Sequence, residues 1–278
     1  MNHRDGSFQG ARGHSIYFRY WTPDAAVRGV VLLVHGAGEH GDRYRDFARR
    51  CCDAGLAVAA LDHTGHGKSD GVYGHFDRFQ DHLDNLDTFR QTVAQAFPGQ
   101  PLVLLGHSMG GLIGACYLLE HQADFVACAL SGPAIKTELE PGLVQTTLIR
   151  LLSLLAPRLG VLQLDAGGVS RDPAVVEDYQ QDPLVNHGKM SARFVSEMFR
   201  AMGRIQTEAP AIELPLLIMH GDSDVMTAPA GSQFLYDRVS SRDKTLKRYP
   251  GLYHEIFNEP ERDSVIDDLL GWLDTRIG

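Results

Sequence analysis

Residues 106–110 read GHSMG and place a serine between glycines in the pattern G-x-S-x-G. An apolar run, PLVLL, precedes the pattern, and a helical pattern, GLIGACYLLEHQ, follows it. This combination favours catalysis, because the glycines leave room for a sharp strand-to-helix turn that holds the serine in strained geometry. Ser108 is therefore predicted to be a nucleophile.

A serine hydroxyl needs a neighbouring base, and the base needs a carboxylate that orients it. In chains with this turn the order is serine, acid, histidine. Of the 13 histidines, only His254 lies beyond the last expected acid loop, so His254 is predicted to be the base. The acid should follow the run LPLLIMH, where GDSD offers Asp222 and Asp224, and position alone does not choose between them. His220 is interpreted as a packing or supporting residue.

Attack by serine on a carbonyl creates an oxyanion, which two backbone N–H groups must stabilise. One is the N–H after the nucleophile, which belongs to Met109. The other comes from the loop after an early strand, and VHGAGEHG at 34–41 is that loop. Its small residues let the backbone approach a substrate, so Ala37 is predicted to be the second donor.

The elements that position these residues alternate between short apolar runs and helical patterns, which is typical of a mostly parallel sheet with helices on both faces. The predicted fold class is α/β. Strands are predicted at 28–36, 55–63, 101–108, 125–133 and 214–222, and helices at 42–54, 79–97, 109–121, 229–240 and 260–276.

About 80 residues separate the strand ending at Pro133 from the strand beginning near Leu214, far more than an ordinary connection needs. The interval holds the apolar helical pattern LVQTTLIRLLSLLAP, an Asp172 N-cap with Pro173 at the first helical position, and the pattern ARFVSEMFRAMGR before Gly203. It is predicted to be a helical cap at 134–210 inserted into a core of 1–133 and 211–278. The alternative is that these helices complete the core.

Composition excludes several other classes of protein. The net charge of −9 and the absence of a basic run argue against nucleic acid as a partner. The first 20 residues lack the apolar stretch of a signal peptide, and no run is long enough for a membrane span, so a cytoplasmic location is expected. The cysteines are expected to be reduced packing residues because they show no metal-ligand spacing: Cys51, Cys52, Cys116 and Cys128.

Two further patterns, one similar to a nucleotide-binding loop and one of paired histidines, are interpreted as neither a cofactor site nor a metal site. DHTGHGKS ends like a phosphate-binding loop but has Asp62 where that motif needs glycine. His63 with His66, or His35 with His40, have no acidic or cysteine partner at zinc-site spacing, so they are interpreted as loop packing.

Taken together, the motifs resemble those of the monoacylglycerol lipases, especially the bacterial and mycobacterial branch, within the α/β-hydrolase superfamily. The resemblance runs over nearly the whole chain and is carried by HGAGEHGDRY, LDHTGHGKSDG, GHSMGG, SRDPAVVEDYQQDPLV, HGDSDVMTAPAGS and YPGLYHEIFNEP.

The resemblance implies a triad of Ser108, Asp224 and His254, which prefers Asp224 to Asp222, and it agrees with Ala37 and Met109 as oxyanion donors. It also implies that Glu39 and Arg43 lie near the glycerol-binding end. One position departs from the mammalian pattern, because Phe257 stands where a second histidine is expected.

The expected activity is therefore hydrolysis of lipid carboxylic esters, most of all monoacylglycerols, through an acyl-enzyme. Leu151 and the other apolar residues of the first cap helix are expected to cover one acyl chain, and the same face could touch a membrane or micelle transiently. The alternatives are another carboxylesterase, thioesterase or lysophospholipase with the same triad, or a non-catalytic ligand-binding protein on the same scaffold.

Overall fold

The computed structural model describes residues 1–137 and 142–277, apart from the side chain of Leu143. Its main sheet contains β1 (Asn2–Gln9), β2 (Ser15–Thr22), β3 (Gly29–Val34), β4 (Leu56–Leu61), β5 (Leu102–His107), β6 (Ala127–Ser131), β9 (Leu216–Gly221) and β10 (Lys244–Tyr249). The core helices are α1 (Arg45–Asp53), α2 (Gln80–Ala96), α3 (Met109–His121), α7 (Pro229–Arg238) and α8 (Arg262–Ile277).

The eight strands lie in the order β1-β2-β4-β3-β5-β6-β9-β10. The pairs β1–β2 and β2–β4 are antiparallel, and every other neighbouring pair is parallel. The predicted mostly parallel α/β sheet is confirmed. All five predicted strands are present, as are the five predicted core helices, with ends that differ by a few residues.

The sheet divides the apolar core into two layers because successive side chains of a strand point to opposite faces. In β3, Val30 and Leu32 pack with α2, α3 and α7, whereas Val31 and Leu33 pack with α1 and α8. The central strands are buried on both faces, which explains why they are continuous apolar runs in the sequence.

The described residues between β6 and β9 include three further α-helices and a two-stranded ribbon. These elements are α4 (Leu143–Leu155), β7 (Gly160–Leu162), α5 (Pro173–Gln181), β8 (Met190–Ser191) and α6 (Ala192–Glu208). Residues 138–141 of the predicted cap lie outside the described residues.

Two local predictions for this interval can be compared with the structure. The side chain of Asp172 accepts a hydrogen bond from the N–H of Ala174, so the predicted N-cap is confirmed. The last helix does not end at Gly203 but continues through it to Glu208. A single glycine lowers helix propensity by about 1 kcal/mol, which the buried face of α6 outweighs.

The loops that carry the predicted site residues all follow the carboxyl ends of parallel strands. The loop with Ala37 follows β3, Ser108 follows β5, Asp224 follows β9 and His254 follows β10. Since parallel strands end at one edge of the sheet, these loops share that edge.

A buried ion pair holds the antiparallel hairpin and two of these loops to the sheet. Arg19 on β2 donates from Nη1 and Nη2 to the two oxygens of Asp62, at 3.0 and 2.9 Å, and both side chains are fully buried. Asp62 also accepts from the backbone N–H groups of Gly41 at 2.9 Å and Lys68 at 3.0 Å. Removing the arginine would leave a buried, uncompensated carboxylate.

We therefore expect Arg19→Met to lower the free energy of unfolding by about 3–5 kcal/mol, as is usual when one partner of a buried pair is lost. Urea denaturation of the purified variant measures this change. The matched control is Arg45→Met, since Arg45 is an exposed arginine paired with Asp42. Equal stability of the two variants would show that Arg19 and Asp62 do not hold these segments together.

Candidate active site

Ser108 occupies a strained turn between β5 and α3. Its φ and ψ are 55° and −118°, in a region that non-glycine residues seldom adopt. Gly106 and Gly110 must be glycines because a side chain at either position would clash with the backbone. A Cβ on Gly106 would lie 2.5 Å from the carbonyl oxygen of Gly110, and a Cβ on Gly110 would lie 2.0 Å from that of Val34. The sequence pattern thus corresponds to a backbone packed too closely for side chains at these positions.

Asp224 and His254 form the predicted acid–base pair. His254 Nδ1 lies 2.7 Å from Asp224 Oδ2, which assigns the proton to Nδ1 and leaves Nε2 free to accept one. The other oxygen of Asp224 accepts from the backbone N–H groups of Met226 and Thr227, at 2.7 and 3.0 Å. Asp222, by contrast, is exposed and pairs with Arg248 at 2.5 Å. These contacts therefore favour Asp224 over Asp222 as the acid, a choice that position in the sequence left open.

The two groups shift each other's pKa in opposite directions. Burial opposes the charged form of each, but the attraction between them outweighs burial. The pKa of Asp224 is held well below its ordinary value by His254 and by hydrogen bonds. The pKa of His254 is raised by the charge of Asp224 and by its hydrogen bond. An ionised aspartate beside a basic imidazole is the arrangement that a general base requires.

Asp224 has two more buried partners that sequence reasoning did not identify by role. His220 Nε2 lies 3.0 Å from Asp224 Oδ2, and its Nδ1 lies 2.6 Å from the hydroxyl of Ser232. The Thr227 hydroxyl donates to the same Oδ2 at 2.9 Å. These contacts agree with the interpretation of His220 as a supporting residue, and they reach the same carboxylate oxygen that His254 contacts.

The residue before Ser108 lies beside His254, the predicted base. The ring of His107, which precedes Ser108, lies 4.6 Å from the ring of His254. Gly132, beside Ser131, lies next to both His254 and Asp224. Among the hydrogen bonds of the described residues, none joins Ser108 Oγ to His254 Nε2. Such bonds are often long before substrate binds and tighten in the complex.

One predicted oxyanion donor is the first residue of α3, and the other lies in the loop after β3. Met109 begins α3, so its N–H is one of the free donors at a helix N-terminus, where the helix dipole also favours negative charge. Ala37 follows Gly36, whose N–H donates to Glu39 Oε1 at 2.5 Å. Ala37, Ser108 and Met109 line one cavity together.

Glu39 and Arg43 occupy a buried ionic cluster with Glu255, which follows the base directly. Arg43 donates to both oxygens of Glu255, at 2.5 and 2.8 Å, and to Glu39 at 3.4 Å. Tyr44 donates its hydroxyl to Glu39 at 2.9 Å. Burial and the nearby Glu255 raise the pKa of Glu39 to about 7, although Arg43 opposes this.

Glu39 and Arg43 do not line the cavity that reaches Ser108. Their hydrogen bonds go to other protein groups and hold the oxyanion loop. A contact of these two residues with glycerol stays a prediction.

The cavity beside Ser108 has a volume of about 340 Å³. Its polar lining is Ser108, Lys136, Thr137 and Thr227. Its apolar lining is Ala37, Met109, Ala134, Ile149, Val161, Leu162, Leu164, Met190, Phe194, Val195, Met198, Phe199, Met202 and Met226. The site is therefore a mostly apolar cavity whose lining includes the predicted nucleophile, Ser108.

Leu151 does not line the cavity beside Ser108, and its contact with substrate stays a prediction. Leu151 is 50% exposed and lies on the outer side of α4, whereas Ile149 of the same helix lines the cavity. Because α4 carries leucine or isoleucine on most of its circumference, the spacing does not show which side faces inward.

The remaining histidine pairs pack against each other in the loops after β3 and β4. The rings of His35 and His63 are 4.3 Å apart, and His35 Nε2 accepts from the N–H of His63 at 2.9 Å. Within the described residues, no group of three or more histidine, cysteine, aspartate or glutamate side chains could hold a metal ion.

Comparison with known proteins places this geometry in a family. The family model described as "Serine aminopeptidase, S33" matches residues 25–261. The monoacylglycerol lipase of Mycolicibacterium smegmatis is 43% identical over 267 residues, covering 96% of this chain and 95% of that protein. The monoglyceride lipase of Homo sapiens is 33% identical over 273 residues, covering 96% and 89%.

A solved structure gives the same result. The crystal structure of Paleococcus ferrophilus monoacylglycerol lipase aligns with a TM-score of 0.85 at 31% identity, covering 94% of this chain and 99% of that chain. The chain belongs to the serine aminopeptidase S33 family of α/β-hydrolases. The predicted fold class and the predicted resemblance to the monoacylglycerol lipases are both confirmed, and the chain is a serine hydrolase.

For this α/β-hydrolase we expect Ser108→Ala to lower kcat by on the order of 10⁶, because no other group would attack the carbonyl. Asp224→Asn should cost about 10⁴-fold through loss of the correct imidazole tautomer, and the surface variant Asp222→Asn should be nearly unaffected. Hydrolysis of a soluble chromogenic ester measures all three, with circular dichroism as the control for folding. A greater loss for Asp222→Asn than for Asp224→Asn would reassign the acid.

The pH dependence follows from the raised pKa of His254. The imidazole must be neutral to accept a proton, so kcat/KM should rise with pH through a midpoint above the ordinary histidine value of 6.5. Asp224→Asn removes the negative charge and should move this midpoint downward. A wild-type midpoint at or below 6.5 would contradict the coupling of His254 to Asp224.

Proposed function

We propose that this chain hydrolyses monoacylglycerols to a fatty acid and glycerol, with Ser108, Asp224 and His254 as the catalytic triad. The observation that carries the proposal is a mostly apolar cavity whose lining includes Ser108 and both proposed oxyanion donors, Ala37 and Met109. An acyl chain buried there gains about 0.8 kcal/mol for each methylene that leaves water. The names of the relatives agree with this substrate class.

In the proposed reaction, His254 Nε2 takes the proton of Ser108 Oγ while Oγ attacks the ester carbonyl carbon. The N–H groups of Ala37 and Met109 donate to the carbonyl oxygen as it becomes negative. When the tetrahedral intermediate collapses, His254 gives its proton to the departing glycerol oxygen. Water then repeats the cycle on the acyl-serine, and the fatty acid leaves.

The size of the cavity and its surroundings favour one acyl chain. Its volume of about 340 Å³ lies near the lower end of the roughly 300–1,000 Å³ that small-molecule sites occupy. Beside the oxyanion loop, the hydroxyls of Tyr179 and Tyr73 lie 2.6 and 3.5 Å from where a Cβ of Gly38 would be. These hydroxyls offer hydrogen bonds to free glycerol hydroxyls, which a second acyl chain would replace with apolar bulk.

The family's description as aminopeptidases suggests another substrate, which the cavity does not favour. A peptide with a free amino terminus brings a positive charge that needs a buried carboxylate or water. Of the described residues that line the cavity, none is acidic, and the charged one is Lys136. An uncharged lipid ester suits this lining better.

We also propose that residues 134–210 form a cap over the core of 1–133 and 211–278, and that the cap touches a membrane or micelle during substrate uptake. The exposed apolar residues of α4 support the contact; they are Val144, Leu148, Leu151, Leu154 and Leu155. Among the described residues, no helix is both long and apolar enough to cross a bilayer. The proposed contact is therefore at the surface.

The test compares monoolein and triolein in one detergent dispersion. Monoolein should be hydrolysed faster, and kcat/KM for soluble monoesters should rise with chain length until the cavity is filled. Ile149→Glu places a charge in the cavity and should abolish this rise. Leu151→Glu is the matched control outside the cavity and should keep it. Equal rates on both glycerides would refute the monoacylglycerol assignment, and an unaffected Ile149→Glu enzyme would refute the acyl site.

A further inference from the structure

The cap contains a second cavity, of about 280 Å³, between α4 and α6. Three arginines contribute to its lining: Arg150 on α4, and Arg193 and Arg200 on α6. Hydroxyl-bearing Ser153 and Ser196 lie among them. Guanidinium and hydroxyl groups are the donors that proteins use for phosphate and carboxylate oxygens.

The described residues around this cavity do not balance its positive charge. One carboxylate, Glu197, lies near it, 3.3 Å from Arg200 Nη1 and 3.9 Å from Arg193 Nη1. Arg150 forms no ion pair with any acidic residue that the structure describes. Arg193 Nε is buried and has no hydrogen-bond partner within the described part of the chain. A positive cavity with an unsatisfied donor stands out in a protein whose net charge is −9.

The arginine cavity borders the exposed apolar side of α4. Val144, Leu148, Leu151 and Leu155 follow the spacing i, i+4, i+7 and i+11, which puts them on one side of the helix. Leu154, which is also exposed, lines the arginine cavity itself. An apolar helix side flanked by arginines is typical of a helix that lies in the interface of an anionic membrane.

The two cavities of the cap share part of their walls. Ile149 and Phe199 line both the arginine cavity and the acyl cavity that reaches Ser108. A molecule bound at the arginines would therefore contact two side chains that also line the acyl site. Binding there would hold the acyl cavity close to a lipid surface.

We propose that the arginine cavity binds the phosphate of an anionic membrane lipid, while the apolar side of α4 inserts among the acyl chains. This rests on the proposed contact of the cap with a lipid surface. The bilayer is favoured over a free anion as the source because the apolar helix side adjoins the arginines. The site would explain how a protein of net negative charge approaches an anionic surface in a fixed orientation.

The test measures partitioning onto vesicles of phosphatidylcholine alone and of phosphatidylcholine with phosphatidylglycerol. Wild type should bind the anionic vesicles more tightly, and salt should weaken this preference. Each arginine near an anionic surface contributes about fivefold, so R150Q/R193Q/R200Q should lose up to about a hundredfold of the binding. The charge-matched control R4Q/R45Q/R49Q, with exposed arginines of the core, should keep most of it.

Three further measurements make the outcome decisive. Arg200→Gln alone, at a side chain that is 77% exposed, should weaken binding without any change in folding. The triple cap variant should still hydrolyse a soluble short-chain ester at the wild-type rate, which separates this site from the proposed catalytic function. Stabilisation of wild type by inorganic phosphate alone would identify a free-anion site instead. Equal binding to both vesicle types, or an unaffected triple variant, would overturn the proposal.

Discussion

The first turn of α3 lies so close to the carboxyl end of β3 that a side chain does not fit between them. A Cβ on Gly110 would meet the carbonyl oxygens of Val34 and His35 at 2.0 and 2.4 Å. This backbone contact places Ser108 and the N–H of Met109 directly beside the loop that carries Ala37. The spacing between Ser108 and the two proposed oxyanion donors is thus set by main-chain packing.

The surroundings of Ser108 differ between an apolar cavity and a polar network around Asp224. On one side, methionine, leucine, isoleucine, valine and phenylalanine side chains line the cavity beside Ser108. On the other, Asp224 receives hydrogen bonds from two backbone N–H groups, a hydroxyl and two imidazoles. These bonds keep the carboxylate charged despite its burial, and a charged Asp224 in turn keeps His254 basic.

The sequence predicts the parts of the fold that are buried on both sides and fails where burial is partial. β3, β4, β5, β6 and β9 are continuous apolar runs and were predictable, whereas β1 (NHRDGSFQ) and β10 (KTLKRY) are polar, partly exposed edge strands that carry no such signal. Within the site, chain order identified Ser108 and His254. The choice of Asp224 needed the resemblance, because the residues that distinguish it, Arg248 and His254, are distant in sequence.

The bridge from Arg43 to Glu255 joins the loop of the oxyanion donor to the loop of the base. Glu39 accepts a hydrogen bond from the N–H of Gly36, the residue before Ala37. Arg43 donates to both Glu39 and Glu255, and Glu255 directly follows His254. The stabilities of the two loops are therefore coupled through these buried contacts. A chimera that takes one of these loops from a distant homologue must take the other as well. Exchange of a single loop would leave a buried charge without its partner.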